Sequence, residues 1–120
     1  MDKCTDSIGR KKLVNMLKSI PFEQFVFSNY FEKEASKRHN VTKEKLKEIY
    51  PQFGKIVEVT IRYSKEGNKY CFVYRMNKNL SYYLIFRLDR NPKELFNAYF
   101  YRGDVIKRIG KKYFGSFFKQ

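Results

Sequence analysis

Arginine, lysine, tyrosine and one histidine are the side chains here with chemistry to offer, because the sequence carries no other catalytic grouping. A single His leaves no pair to hold zinc or to divide acid and base work. The six glycines are scattered and form no phosphate-cradling loop. No Ser or Cys stands in a nucleophile-elbow pattern. The 12 carboxylates are spread among 26 Lys and Arg, without the cluster of acids that a two-metal nuclease requires. Cations and phenols still suffice for one reaction, the cleavage of RNA by its own 2′-hydroxyl. A base takes the hydroxyl proton, cations offset the charge of the pentavalent phosphorane, and an acid protonates the leaving oxygen. Arg suits the phosphorane because its planar fork binds two oxygens at once.

Arg75 and Arg87 are expected at matching positions of two adjacent strands, on the face away from the large aromatics. Asn97, Tyr99 and Tyr101 alternate along the next strand, and Arg102 follows. Ordinary solvated arginines on an open sheet face would give the same pattern. His39 follows Lys37 and Arg38 at the end of a helix; it is the one candidate for histidine acid–base work, although the helix dipole alone favours a cation there. Phosphate contacts are expected from Arg10, Lys11 and Lys12, from Lys37 and Arg38, and from Lys107, Arg108, Lys111 and Lys112. No residue set calls for a metal or another cofactor.

The formal net charge is +14. A solvated surface does not need so much charge of one sign, and the excess repels itself in the compact state. A polyanionic partner relieves it, with counterion release driving association. Nucleic acid, RNA ahead of DNA, is the first expectation, and an acidic protein surface the second. Cys4 and Cys71 are isolated and form neither a disulfide framework nor a ligand cluster, which fits a reducing compartment. No apolar run is long enough to span a bilayer, and the N-terminus lacks the apolar core of a signal peptide. A cytoplasmic protein without membrane attachment is the expectation.

The positioning elements follow from periodicity. The 120 residues fit one domain, opening with a basic amphipathic helix within residues 1–20. Leu13, Val14, Met16 and Leu17 form its apolar side, and Pro21 ends it. Phe25 to Phe27 suits a short strand, and Ser28 an N-cap. A helix from Lys43 to Tyr50 turns Leu46, Ile49 and Tyr50 inward. From Lys55 the period becomes two. Val57, Val59, Ile61 and Tyr63 alternate with Ile56, Glu58, Thr60 and Arg62, and two further alternating runs cover 70–76 and 82–88. Leu95 to Tyr101 is a fourth strand, and Asp104 caps a helix reaching Lys112. The expected fold is α+β: N-terminal helices packed on one face of a four-stranded antiparallel sheet, with a short C-terminal helix. Tyr70, Phe72, Tyr74, Leu84, Phe86 and Leu88 should lie beneath the helices.

The segments Phe27-Ser28-Asn29-Tyr30-Phe31 to Arg38 and Val41-Thr42-Lys43-Glu44-Lys45-Leu46, the strands 69–75 and 82–88, and Asn97-Ala98-Tyr99-Phe100 resemble RelE-like domains of the barnase–EndoU–colicin–RelE superfamily. The resemblance covers roughly residues 25 to 110. It implies a metal-independent ribonuclease, toxin-like, with an acidic antitoxin or immunity protein as partner. It carries Arg87 and Tyr99 as catalytic positions, to which the strand pattern adds Arg75 and Arg102. It departs at Tyr30, where many relatives have His. The alternative on the same fold is a non-catalytic basic RNA- or DNA-binding protein, ribosome-associated or encoded by a virus or plasmid.

Overall fold

The computed structural model describes residues 2–35, 37 and 41–109. A short strand β1 (Asp2–Cys4) leads into helix α1 (Ser7–Lys18). Asp6 starts that helix, its carboxylate accepting the Gly9 N–H at 2.7 Å. After Pro21 comes β2 (Val26–Phe27), then Ser28, whose hydroxyl accepts the Phe31 N–H at 2.9 Å as an N-cap should. The turn beyond is wound more widely than an α-helix, as a π-type segment Phe31–Ala35. Helix α2 (Lys43–Ile49) is capped by Thr42, which accepts the Lys45 N–H at 3.1 Å. Four strands follow: β3 (Ile56–Arg62), β4 (Lys69–Asn77), β5 (Leu80–Arg87) and β6 (Glu94–Arg102). Residues 105–109 are helical, with the Asp104 carboxylate accepting the Ile106 N–H at 3.1 Å; the rest of the helix expected to reach Lys112 lies outside the described residues.

The α+β class and the antiparallel β3–β6 meander agree with the sequence reading. The sheet itself is larger than the expected four strands. Its order is β1-β3-β4-β5-β6-β2, with β1 antiparallel to β3 and β2 parallel to β6, so the sheet is mixed. The short strand expected at Phe25 to Phe27 is present as β2, but two residues carry no sign of the strand they pair with, and the three of β1 carry too little alternation to be seen in sequence.

One face of the sheet is the floor of the core. Phe72, Tyr74, Leu84 and Phe86 are fully buried there against Leu17 of α1 and Leu46 and Ile49 of α2. Tyr70 is only partly buried at the margin, where its hydroxyl bonds to Asp89. Phe86 meets Phe25 and Phe72 at centroid distances of 4.8 and 5.7 Å, within the range in which ring pairs add to simple burial. Tyr50 ties the layers together. Its hydroxyl donates towards the carbonyls of Leu17 (2.8 Å) and Ile20 (2.6 Å), and its own carbonyl accepts the Tyr74 hydroxyl at 2.9 Å. The end of α1, the end of α2 and the middle of β4 therefore share one buried polar chain. Burial raises the pKa of both phenols, Glu23 adding to the effect at Tyr50 and Tyr50 at Tyr74.

Candidate nucleic-acid groove

The other face of the sheet is concave and mixes charged, aromatic and aliphatic side chains. Cross-strand pairing sets its rows. Glu58 faces Val73, which faces Tyr83, which faces Tyr99. In the next row Thr60, Cys71, Ile85 and Asn97 follow one another, and beyond them Arg62 pairs with Lys69. A bulge adds one more residue. Ile85 pairs with Asn97 but Phe86 with Leu95, so Leu95 stays in the core while the extra residue, Phe96, turns to the groove. The 29–35 segment raises one wall with Tyr30, and the 105–109 helix raises another with Arg108 and Ile109. Together they enclose a cavity of about 550 Å³, within the range of small-molecule and nucleotide-sized sites.

Cations and rings are interleaved around it. Tyr30 stacks on Phe96 at 5.3 Å with an interplanar angle of 6°. The Lys69 ammonium lies 4.2 Å, and the Arg87 guanidinium 4.5 Å, from the centre of the Phe96 ring. On the opposite side Tyr83 stacks on Tyr99 at 4.8 Å, and Arg108 lies 5.5 Å from Tyr83 and 4.4 Å from Tyr101. Glu58 is buried and accepts a hydrogen bond from the Thr60 hydroxyl at 2.9 Å. The Lys69 pKa is lowered, first by desolvation and then by the charges of Arg87 and Arg62, against a weaker pull from Glu66. Burial raises Tyr99 to about 12, with Cys71 and Tyr83 adding and Arg108 and Arg62 opposing. Tyr83 is also raised by burial, against Arg108.

The residues singled out from sequence fare unequally. Tyr99 lines the groove. Arg87 shares its face but sits at the end, ion-paired with Glu94 at 3.7 Å and laid over Phe96. Arg75 does not face Arg87: the tight turn after Asn77 pairs it with Ser81, which places it about 20 Å away along β5 at roughly 3.4 Å per residue. There it pairs with Asp104 at 3.6 Å. The expected convergence of Arg75 and Arg87 on one phosphate is therefore corrected. Arg102 is corrected too. It has the opposite strand parity from Tyr99 and lies over Phe100, a ring packed against the core.

Of the expected phosphate contacts that fall among the described residues, Arg108 alone lines the cavity. Arg10, Lys11 and Lys12 belong to α1 on the helix side of the sheet, where Arg10 donates to the Val57 carbonyl at 2.9 Å. Lys37 and Lys107 are exposed. His39, Arg38, Lys111 and Lys112 lie outside the described residues. The sequence reading missed Glu58, Arg62, Lys69 and Phe96. A signal existed for the first two, since Glu58, Thr60 and Arg62 share one parity of β3, opposite to the valines. Lys69 follows from counting back across the 77–80 turn. The bulge that exposes Phe96 leaves no such trace.

Among the described residues no three His, Cys, Asp or Glu side chains gather as a metal-ligand set, and no helix is long and apolar enough to cross a membrane. The chemistry within reach is that of one buried carboxylate, three cations, three tyrosine phenols, two of them raised by burial, and stacking surfaces around one hollow. Comparison with protein-family models, curated proteins and solved structures finds no match.

Proposed function

We propose that the groove binds single-stranded RNA and cleaves it through 2′-hydroxyl attack without a metal ion. The observation that carries this is the gathering of Glu58, Arg62, Lys69, Tyr99 and Arg108 around one cavity walled by aromatic rings. Stacked bases and a cationic track are what sequence-tolerant single-strand binding needs. In this scheme Glu58 is the base that takes the hydroxyl proton, its orientation fixed by Thr60. Arg62 and Lys69 offset the phosphorane charge. Tyr99, with its pKa raised to about 12, stays protonated and gives its proton to the leaving 5′-oxygen as the P–O5′ bond breaks. Arg87 and Arg75 act on the ends of the groove through their ion pairs, not on the reacting phosphate. An acidic antitoxin or immunity protein remains a proposal for the partner, and the exposed lysines of α1 offer it a surface.

The test incubates the purified chain with single-stranded RNA, with and without a chelator. Cleavage should survive chelation, leave a 2′,3′-cyclic phosphate, and vanish in Glu58→Gln. Activity lost on chelation and restored by magnesium would refute the route. Tight binding without cleavage would make the groove a non-catalytic RNA site.

A further inference from the structure

The geometry points to Tyr30 as a nucleobase platform with its own phosphate anchor at Lys69, so that the groove mouth accepts one nucleoside monophosphate unit as a subsite. This deepens the RNA reading of the groove and rests on it. Tyr30 occupies the position at which histidine acid–base chemistry was in question, yet its surroundings suit stacking. One face of its ring lies flat on Phe96, and 43% of the residue remains exposed at the cavity rim. The platform is held before any ligand arrives. Ser28 caps the turn, its N–H donates to the Leu95 carbonyl at 3.1 Å, and Phe31 is buried in the core. A rigid ring binds a base without the entropy loss of ordering a loop.

Beside it stands a cation without an ion pair among the described residues. Lys69 lies over Phe96, next to Arg87 and cross-strand from Arg62. Like charges set side by side favour an anion between them. A flat exposed ring and a cation cluster, both in contact with the Phe96 ring, match the two halves of a nucleotide, base and phosphate.

The test titrates adenosine 5′-monophosphate and, separately, inorganic phosphate into the intact chain by calorimetry. Tyr30→Leu should weaken the nucleotide about tenfold, as loss of one stacked base does, and leave inorganic phosphate unchanged. Tyr30→Phe should bind the nucleotide like the parent, and Lys69→Gln should weaken both ligands. The proposal is overturned if the parent chain binds no adenosine monophosphate, if Tyr30→Leu binds it as tightly as the parent, or if that variant loses phosphate to the same degree. Mononucleotide binding needs no cleavage. A chain that binds the nucleotide through Tyr30 but cuts no RNA would refute the catalytic reading and leave this subsite standing.

Discussion

Replacing three glycines one at a time by alanine should separate backbone strain from steric conflict at the groove wall. At Gly54 an added Cβ meets nothing within 4 Å, and φ is not in the left-handed region. Gly54→Ala should therefore stabilise by about 0.4–1 kcal/mol, through the loss of freedom in the unfolded chain. Gly67 has φ +118° but open space around it, so Gly67→Ala should cost the strain alone, about 1–3 kcal/mol. Gly103 combines both penalties. Its φ is +145°, and a Cβ there would lie 2.8 Å from the Tyr101 hydroxyl oxygen and 2.9 Å from Cζ. Retreat of the Tyr101 ring would also displace Arg108, which lies 4.4 Å from its centre. Strain plus overpacking should make Gly103→Ala the worst of the three, by about 1–3 kcal/mol over Gly67→Ala. Urea unfolding followed by circular dichroism gives the three differences from midpoint and slope. Equal costs at Gly67 and Gly103 would show that Tyr101 does not pack on Gly103 as described. A neutral Gly103→Ala would refute the strain argument as well. Because Tyr101 supports Arg108, this variant should also bind RNA more weakly than its residual stability explains.

Tyr50→Phe should cost about 1–2 kcal/mol in the same unfolding assay, since the buried Ile20 carbonyl loses its hydroxyl donor; an unchanged midpoint would show that the carbonyl finds another partner. Folding stability should fall as pH rises from about 10 towards 12. Tyr99 is raised in the folded state to about 12 from a tyrosine's ordinary 10.0, so its contribution is complete below the unfolded value and lost as pH climbs through the folded one. Tyr99→Phe should remove only its own share of that fall, since the Tyr50, Tyr74 and Tyr83 phenols are also raised by burial; alkaline unfolding curves identical to the parent's would refute the share assigned to Tyr99. RNA affinity should drop with salt on a log–log plot with a slope of several units, and Lys69→Gln should reduce the slope by about 1. A parent chain insensitive to salt would remove the electrostatic basis of the groove.

Alternation carried most of the core. Phe72, Tyr74, Leu84 and Phe86 declare their shared face by spacing alone, because a sheet with one helix-covered side punishes any other register. What alternation does not encode is position along the strand. Arg75 and Arg87 share parity, and parity alone made them look like partners; the tight 77–80 turn sets Arg75 against Ser81 and leaves Lys69 at the Arg87 end. The groove depends further on two irregular features. The bulge at Phe96 moves one ring from the expected alternation, and the 105–109 helix folds Arg108 back over Tyr83 and Tyr101. The Asp104 cap announces the helix, but the bulge and the side to which the helix folds Arg108 are decided by tertiary packing, of which local sequence carries little sign. Tyr99 was legible because it obeys simple alternation. Glu58 was overlooked because a lone acid in a basic chain reads as a solvated charge, whereas its neighbours across β4 close over it.

The short outer strands have a bearing on how copies of the chain treat one another. The interior strands β4, β5 and β6 run to nine, eight and nine residues, but the sheet ends on β1 with three and β2 with two. A long bare strand margin offers a row of unpaired amides and carbonyls to any neighbouring chain. On one side β2 covers only Glu94 and Leu95 of β6. On the other β1 covers Thr60 to Arg62 of β3, whose seven residues include Val57, Val59 and Ile61. A chain cut back to Thr5 would leave that strand as the border. It would then present a β-branched template for strand addition and self-association, although the core beneath and the groove above were untouched.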